Sequence, residues 1–198
     1  GDRKRVSVTP DKVREYLGPQ QVFQESRERI DRPGVATGLA WTEAGGDVLN
    51  VEATTMEGTG KLALTGQLGD VMQESAQAAL SYIRSNGESY GIAEDFFEHH
   101  NLHIHIPAGA IPKDGSSAGL PIAVALISLL TDRSCRREAA MTGELTLTGR
   151  ILPVGGVKEK LLAAHRAGVK TVVLPAKNKS NLREIPLDIQ QELRIAAV

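Results

Sequence analysis

Residues 111–119, with the sequence IPKDGSSAG, decide how the fold of this chain is interpreted. They follow a strand-like run, LHIHI at residues 102–106, and they precede an apolar run at residues 120–130 that predicts a buried helix. Backbone N–H groups at a glycine-rich turn and at a helix N-terminus stabilise nearby negative charge. Because the oxyanion of an acyl transfer is such a charge, the stretch predicts a serine placed for nucleophilic attack.

A second glycine-led helix start, PVGGVKEK at residues 153–160, supplies a candidate base. Val157, Leu161 and Ala164 recur at helical spacing and are expected to face the core, which would draw the neighbouring Lys160 inside. A lysine acts as a base only when it is neutral, so burial has to lower its pKa from the ordinary value of about 10.4. Taken alone, Lys160 would be a solvated helix lysine; together with the serine motif it indicates a Ser-Lys hydrolase.

These two motifs resemble the proteolytic domain of the ATP-dependent Lon protease, bacterial cytosolic type. Residues 112–119 match the family's serine motif, PKDGxSAG, and residues 155–160 match its lysine motif. Further similar runs are TGLAW at residues 37–41, GQLGDVMQES at residues 66–75 and MTGE at residues 141–144. The resemblance extends from about residue 33 to the C-terminus. Two long motifs in the family's order are far more specific than one short pattern.

The resemblance implies a serine endopeptidase in which Ser117 is the nucleophile and Lys160 the general base. Ser117 would form an acyl-enzyme that water then hydrolyses, and backbone N–H groups from Gly115 to Ser117 would stabilise the oxyanion. Many bacterial members have proline in place of Ser116, and proline would stiffen the turn. Two adjacent serines leave the nucleophile ambiguous locally, and the register of the motif favours Ser117. The implied substrates are unfolded or damaged proteins.

Several other residues are candidates for supporting this site. In the family a threonine at the position of Thr142 contacts the lysine; the alternative is an ordinary strand residue. Asp114 either shapes the turn or caps the helix that follows it, or it has a role in the site. Glu52 and Trp41 match family positions near the site or at subunit contacts; the alternatives are a solvated carboxylate and a core aromatic.

Two histidines on one predicted strand, His103 and His105, point to the same face because strand side chains alternate. This arrangement is compatible with a Ser-His catalytic site or with two ligands of a metal ion. A third ligand at suitable spacing is not evident, although His99 and His100 are close in sequence, so no metal is predicted. Packing or lining of the site is the favoured interpretation.

The composition of the chain limits the classes of protein to which it can belong. The chain has 198 residues with 41% hydrophobic content, enough for one core and a small appendage. Its net charge of −1 and lack of a basic stretch give no sign of a nucleic-acid site. No apolar run has the length of a membrane span, and no signal peptide is evident. The single cysteine, Cys135, fits a reducing cytoplasm.

The chain is expected to divide near residue 32. Residues 1–32 are polar and predict the tail of a preceding ATPase module plus a linker, with a short helix that has Thr9 as its N-cap and ends near residue 17. Residues 33–198 predict the protease domain. No Walker A loop is present, so the resemblance implies that the ATPase part, with its ATP and Mg, is absent from this chain. It also implies a hexameric ring for the full-length protein.

Short alternating runs between glycine-rich turns predict strands, and longer runs at helical spacing predict helices. Predicted strands cover residues 35–42, 47–55, 61–65, 102–106, 141–147, 151–154, 171–174 and 193–198. Predicted helices cover residues 71–83, 117–130 and 157–167, with a helical turn at 179–183. This order predicts an α+β (mixed α/β) fold with several short, largely antiparallel strands and packed helices.

Two rival functions start from the same residues. A domain of this type that had lost its two catalytic residues would serve as a binding module, but both residues are present here. A Gly-Ser-Ser loop before a helix also cradles phosphate in some small-molecule kinases. A kinase would leave Lys160 without a role, and tight ATP binding would favour it.

Overall fold

A seven-stranded mixed sheet organises the molecule, a computed structural model that describes residues 7–18, 31–42, 45–107 and 113–198. The strands of the described residues are β1 (Val35–Thr42), β2 (Gly45–Glu57), β3 (Leu62–Thr65), β4 (His100–His105), β5 (Ala139–Met141), β6 (Glu144–Leu145), β7 (Ile151–Leu152), β8 (Thr171–Leu174) and β9 (Arg194–Ala197). The order in the sheet is β3-β4-β2-β1-β5-β8-β9, while β6 and β7 form a separate hairpin.

The helices lie mainly between the strands in sequence. They are α1 (Pro10–Leu17), α2 (Asp70–Ser85), α3 (Phe96–His99), α4 (Gly119–Leu130), α5 (Val157–Arg166) and α6 (Leu187–Glu192), with 3₁₀ turns at Gly87–Tyr90, Ser116–Ala118 and Ala176–Glu184. The prediction of α1 is confirmed, including the Thr9 cap, whose hydroxyl accepts from the Lys12 N–H at 3.4 Å. None of the helices in the described ranges has the length and apolarity needed to cross a membrane.

The mixed α/β class is confirmed, but the expectation of largely antiparallel strands is wrong. β1 pairs antiparallel with β2, and β2 with β4. The pairs β3–β4, β1–β5, β5–β8 and β8–β9 are parallel. Parallel neighbours need a crossover, and α2, α5 and α6 supply crossovers between β3 and β4, β5 and β8, and β8 and β9. Of these helices, α2 and α5 were predicted from the sequence and α6 was not. The role of all three as crossovers was not predicted.

Helices cover both faces of this sheet. One core lies where α2 and α4 pack against β1, β2 and β4, with Ile83, Ile104 and Leu126 fully buried. The other core lies between α5 and the strands β1, β2 and β8, around Leu161 and Val172. The predicted burial of α4 is confirmed, since seven of its residues are buried. Both α4 and α5 are therefore fixed firmly to the sheet, each from its own side.

The predicted strand at residues 141–147 is wrong, because the chain leaves the large sheet after Met141. The Thr142 N–H still donates to the carbonyl of Val173 at 3.1 Å, but β6 belongs to the separate hairpin. At the break, a Cβ on Gly143 would lie 2.6 Å from a methyl group of Ile151, so only glycine allows this close passage. The break places Thr142 between the two sheets.

Candidate active site

The serine motif forms a 3₁₀ turn, Ser116–Ala118, that continues directly into α4. The turn is entered through Gly115, whose φ of 128° and ψ of 151° suit only glycine. Ile111 and Pro112, which begin the motif, lie outside the described residues. Because α4 is buried on the sheet, the turn at its N-terminus has a rigid support.

Contacts from two other elements hold this turn. The Gly143 N–H donates to the carbonyl of Ser117 at 3.0 Å, and the Gly143 carbonyl accepts from the Leu120 N–H at 2.9 Å. From α2, the Ser75 hydroxyl donates to the carbonyl of Ser116 at 3.0 Å. The Ser116 hydroxyl donates to Oε2 of Glu144 at 2.6 Å. The turn is therefore bound on both sides of Ser117.

Lys160 lies in the first turn of α5, where its N–H donates to the carbonyl of Gly156 at 3.0 Å. Gly156 precedes the helix in the left-handed region, with φ of 65°. The side chain of Lys160 is 3% exposed, and its Nζ donates to the Thr142 hydroxyl at 3.1 Å. Burial lowers the pKa of Lys160 from 10.5 to about 8. A substantial fraction of this amine is therefore neutral in mildly alkaline solution.

Ser117 and Lys160 line the same cavity, which has a volume of about 300 Å³. Its apolar wall is formed by Leu39, Trp41, Leu49, Met72, Pro121 and Val154. Trp41 is 58% exposed, so it is not the core aromatic that was one of the two interpretations. A hydroxyl and a proton-accepting amine in one apolar-walled cavity form the minimal set for acyl transfer through a serine.

Asp114 does not cap the helix that follows it. Its Oδ1 accepts from the N–H of Met72 at 2.9 Å, so it caps the first turn of α2, and it accepts from the Gly115 N–H at 2.9 Å. This pair of bonds ties the serine turn to α2, as the turn-shaping interpretation expects. Asp114 also lines the cavity of Ser117 and Lys160. The Gly115 N–H, one of the predicted oxyanion donors, is engaged by Asp114 in this conformation.

His103, His105 and Glu52 do not line the cavity of Ser117 and Lys160. The two imidazoles share one partner, the Thr65 hydroxyl, at 2.9 Å from His103 Nε2 and 2.7 Å from His105 Nδ1. Glu52 lies opposite His105 in the pairing of β2 with β4. In the ranges that the structure describes, no group of three His, Cys, Asp or Glu side chains is arranged to hold a metal ion.

Three residues that contact the site had no role in the sequence analysis. Glu144 and Ser75 hold the serine turn, and both lie in runs that were quoted only for their resemblance to the family. Asn178 is 4% exposed, and its amide accepts from the N–H of Val154 and donates to the carbonyl of Val154, each at 2.9 Å. It therefore fixes a part of the cavity wall, and its sequence context carried no signal for this role.

Comparison with known proteins gives matches along almost the whole chain. Residues 7–198 match the family model described as the Lon protease (S16) C-terminal proteolytic domain. The chain is 56% identical to Lon protease 1 of Herpetosiphon aurantiacus over 198 residues, which is 100% of this chain and 24% of that protein. It is 59% identical to Lon protease of Koribacter versatilis over 186 residues, which is 93% of this chain and 23% of that protein.

The chain spans about a quarter of the length of these curated relatives. The match to the family model covers nearly all of the chain and includes the serine turn, Thr142 and the start of α5. The elements that hold Ser117 and Lys160 at one cavity therefore lie within the matched residues. The chain belongs to the family of Lon protease (S16) C-terminal proteolytic domains.

Proposed function

We propose that this chain hydrolyses peptide bonds of unfolded or damaged proteins, with Ser117 as nucleophile and Lys160 as general base. The observation that carries the proposal is that both side chains line one cavity while burial lowers the pKa of Lys160 to about 8. The apolar wall of the cavity suits side chains that are exposed in unfolded proteins and buried in folded ones. Family membership favours this serine peptidase over the binding module and the kinase.

The reaction has two steps with balanced protons. Lys160 accepts the hydroxyl proton of Ser117 while Oγ attacks the peptide carbonyl carbon, and the C–N bond breaks as that proton passes to the leaving amine. Water then attacks the acyl carbon and gives a proton to Lys160, and the ester C–O bond breaks as Ser117 Oγ regains a proton. Thr142 holds the amine through both steps by accepting from Nζ.

The remaining parts of the proposal concern the longer protein. The relatives are named Lon protease, and the chain spans only about a quarter of their length. We propose that an ATPase module with bound ATP and Mg delivers unfolded chains to this domain, that the full-length protein assembles as a hexameric ring, and that it works in the cytoplasm. The role of the ATPase module is tested by measuring ATP-dependent degradation of an unfolded protein by the full-length enzyme.

The direct test is the pH dependence of acylation by a serine-directed reagent, with the modified residue identified by mass spectrometry. Acylation at Ser117 is expected to rise as the pH passes through about 8, because Lys160 becomes neutral there. Lys160→Ala is expected to slow acylation by roughly 10²- to 10⁴-fold while the chain stays folded. Full reactivity of that folded variant, or modification of another residue, would overturn the assignment.

A further inference from the structure

The bond between Ser116 and Glu144 joins the serine turn to the β6–β7 hairpin. Its length of 2.6 Å is at the short end for a hydroxyl donor, and a carboxylate is a stronger acceptor than a neutral group. The partners are 28 positions apart in sequence, so the bond is a tertiary contact. It lies directly beside the residue that carries the nucleophile.

The turn has a structural need for such a contact. Gly115 leads into it with φ of 128°, and a Cβ at Gly115 would have no atom within 4 Å, so no side chain packs over this position. Glycine also has the most backbone freedom of any residue. Ser116 lies between Gly115 and Ser117, so a hydrogen bond that holds Ser116 also limits the movement of Ser117.

The same short segment, residues 142–144, contacts both halves of the site. Thr142 accepts from the Lys160 amine, Gly143 donates to the Ser117 carbonyl, and Glu144 accepts from the Ser116 hydroxyl. Three consecutive residues thus set where the base lies relative to the nucleophile. Two of these contacts are made by side chains, so they can be altered by substitution.

We infer that Glu144 is a positioning residue, whose carboxylate fixes the presentation of Ser117 through the hydroxyl of Ser116. The inference rests on the proposed role of Ser117 as nucleophile. It also gives Ser116 a definite task, in which its hydroxyl, by donating a hydrogen bond to Glu144, serves as a restraint and not as a second nucleophile. The alternative, in which Glu144 activates Ser116 for attack, predicts acylation at Ser116.

The test is a double-mutant cycle on the acylation rate constant of the 198-residue chain. Glu144→Ala is expected to slow acylation at Ser117 by about tenfold, the usual effect of losing a hydrogen bond to a charged group. Ser116→Ala is expected to give a similar loss, and the double variant no more than either single one. Glu144→Gln is expected to recover part of the rate, because its amide oxygen still accepts from the hydroxyl.

A proline variant provides a rescue that a merely structural role for Glu144 would not predict. Ser116 is the first residue of a 3₁₀ turn. Proline is favoured at the first position of a helix, because its fixed φ suits that position. In Ser116→Pro the ring is expected to replace the hydrogen bond, so adding Glu144→Ala should change the rate by less than about twofold. Glu98→Gln, which alters an exposed carboxylate of α3, is the matched control and should leave the rate unchanged.

The outcomes separate this inference from the proposed function. Equal effects of Glu144→Ala with serine, alanine or proline at position 116, or acylation at Ser116, would overturn the positioning role. If the wild-type chain is not acylated at all, the proposed function fails, and backbone hydrogen exchange at residues 116–120 decides the inference instead. Exchange there should accelerate to the same extent in Ser116→Ala, Glu144→Ala and the double variant; additive acceleration or none would contradict it.

Discussion

The amine of Lys160 donates a hydrogen bond of 3.1 Å to the hydroxyl of Thr142, and both side chains are almost fully buried, at 3% and 2% exposed. A hydroxyl has no charge, so it orients the amine without supplying a negative charge that would stabilise the ammonium form. The lysine is thereby kept in place while its pKa stays low. A carboxylate in the same position would hold the lysine equally well but would favour the charged, non-basic form.

Thr142→Val is expected to slow acylation at Ser117 by about tenfold, because the valine keeps the shape of threonine but cannot accept from the amine. Thr142→Ser retains the hydroxyl and is expected to stay within about threefold of the wild type. Rate constants measured above pH 9, where the lysine is neutral in both variants, separate orientation from proton affinity. Equal rates for the valine and serine variants would show that Thr142 has no part in orienting the base.

Lys160→Met is expected to stabilise the domain while abolishing its reactivity. The folded chain binds the lysine proton less tightly than the unfolded chain does, so stability falls as the pH drops from 10.5 through about 8. At neutral pH this burial costs on the order of 3 kcal/mol. We expect the methionine variant to gain about 1 to 3 kcal/mol in free energy of unfolding at pH 7, measured by urea denaturation.

The pH dependence of that gain is the sharper result. It should shrink towards pH 10, where the wild-type lysine is neutral in the folded chain and loses its proton at little cost on folding. Lys158→Met, which changes an exposed lysine of the same helix, is the control and should show no such trend. A gain that is constant with pH would mean that burial does not perturb Lys160.

Asn178→Ala is expected to weaken peptide cleavage more than it weakens reaction with a small acylating reagent. The alanine leaves the N–H and carbonyl of Val154 without their side-chain partner and loosens the wall formed by residues 153–155. We expect a rise of about tenfold in KM for an apolar peptide, with kcat less affected. Asn86→Ala, which removes a comparable bond to the Tyr82 carbonyl at the end of α2, should lower stability without changing KM.

Gly46→Ala is expected to displace the helix that carries the base. A Cβ at Gly46 would collide with the carbonyl oxygen of Glu159, so β2 and α5 are in contact through their backbones. Overpacking of this kind costs about 1 to 3 kcal/mol of stability, and a shift of α5 also moves Lys160. Gly87→Ala is the control, since a Cβ there would meet only ordinary van der Waals contacts, the nearest at 3.7 Å from Ile92. Comparable melting temperatures and acylation rates for both variants would contradict the expected displacement.

The sequence predicted those features that depend on neighbouring residues. The alternating pattern of β1 gave its bounds at residues 35–42, and the apolar stripe of α5 indicated that Lys160 is drawn inside. The contact of Thr142 with Lys160 was expected only from the resemblance, and two other contacts between distant segments were missed. The Asp114 carboxylate reaches Met72 across 42 positions, and Asn178 reaches Val154 across 24. Local sequence patterns do not specify such partners. A polar side chain could form hydrogen bonds with several different helix ends and loops, and only the tertiary fold determines which of them is close.

Strand direction was missed for a related reason. The short β3 has the same alternation whether it pairs with β2 or with β4, and only the path of α2 across the sheet makes the parallel pairing with β4. The hairpin at Glu144 was hidden because Met141, Leu145 and Leu147 have the spacing of one face of a single strand, while the backbone already turns away after Met141. Both features depend on how helices pack, which the pattern within a strand does not record.

The location of Lys160 in the first turn of α5 favours the neutral form of its amine before substrate binds. The peptide dipoles of a helix give its N-terminus a partial positive charge, which disfavours a second positive charge nearby. A lysine at the other end of the same helix would be drawn towards its protonated form. The dipole of α5 and the burial of the side chain both act before any peptide enters the cavity. The pKa of the Lys160 amine is therefore already low in the free folded chain, and no energy from substrate binding is needed to lower it.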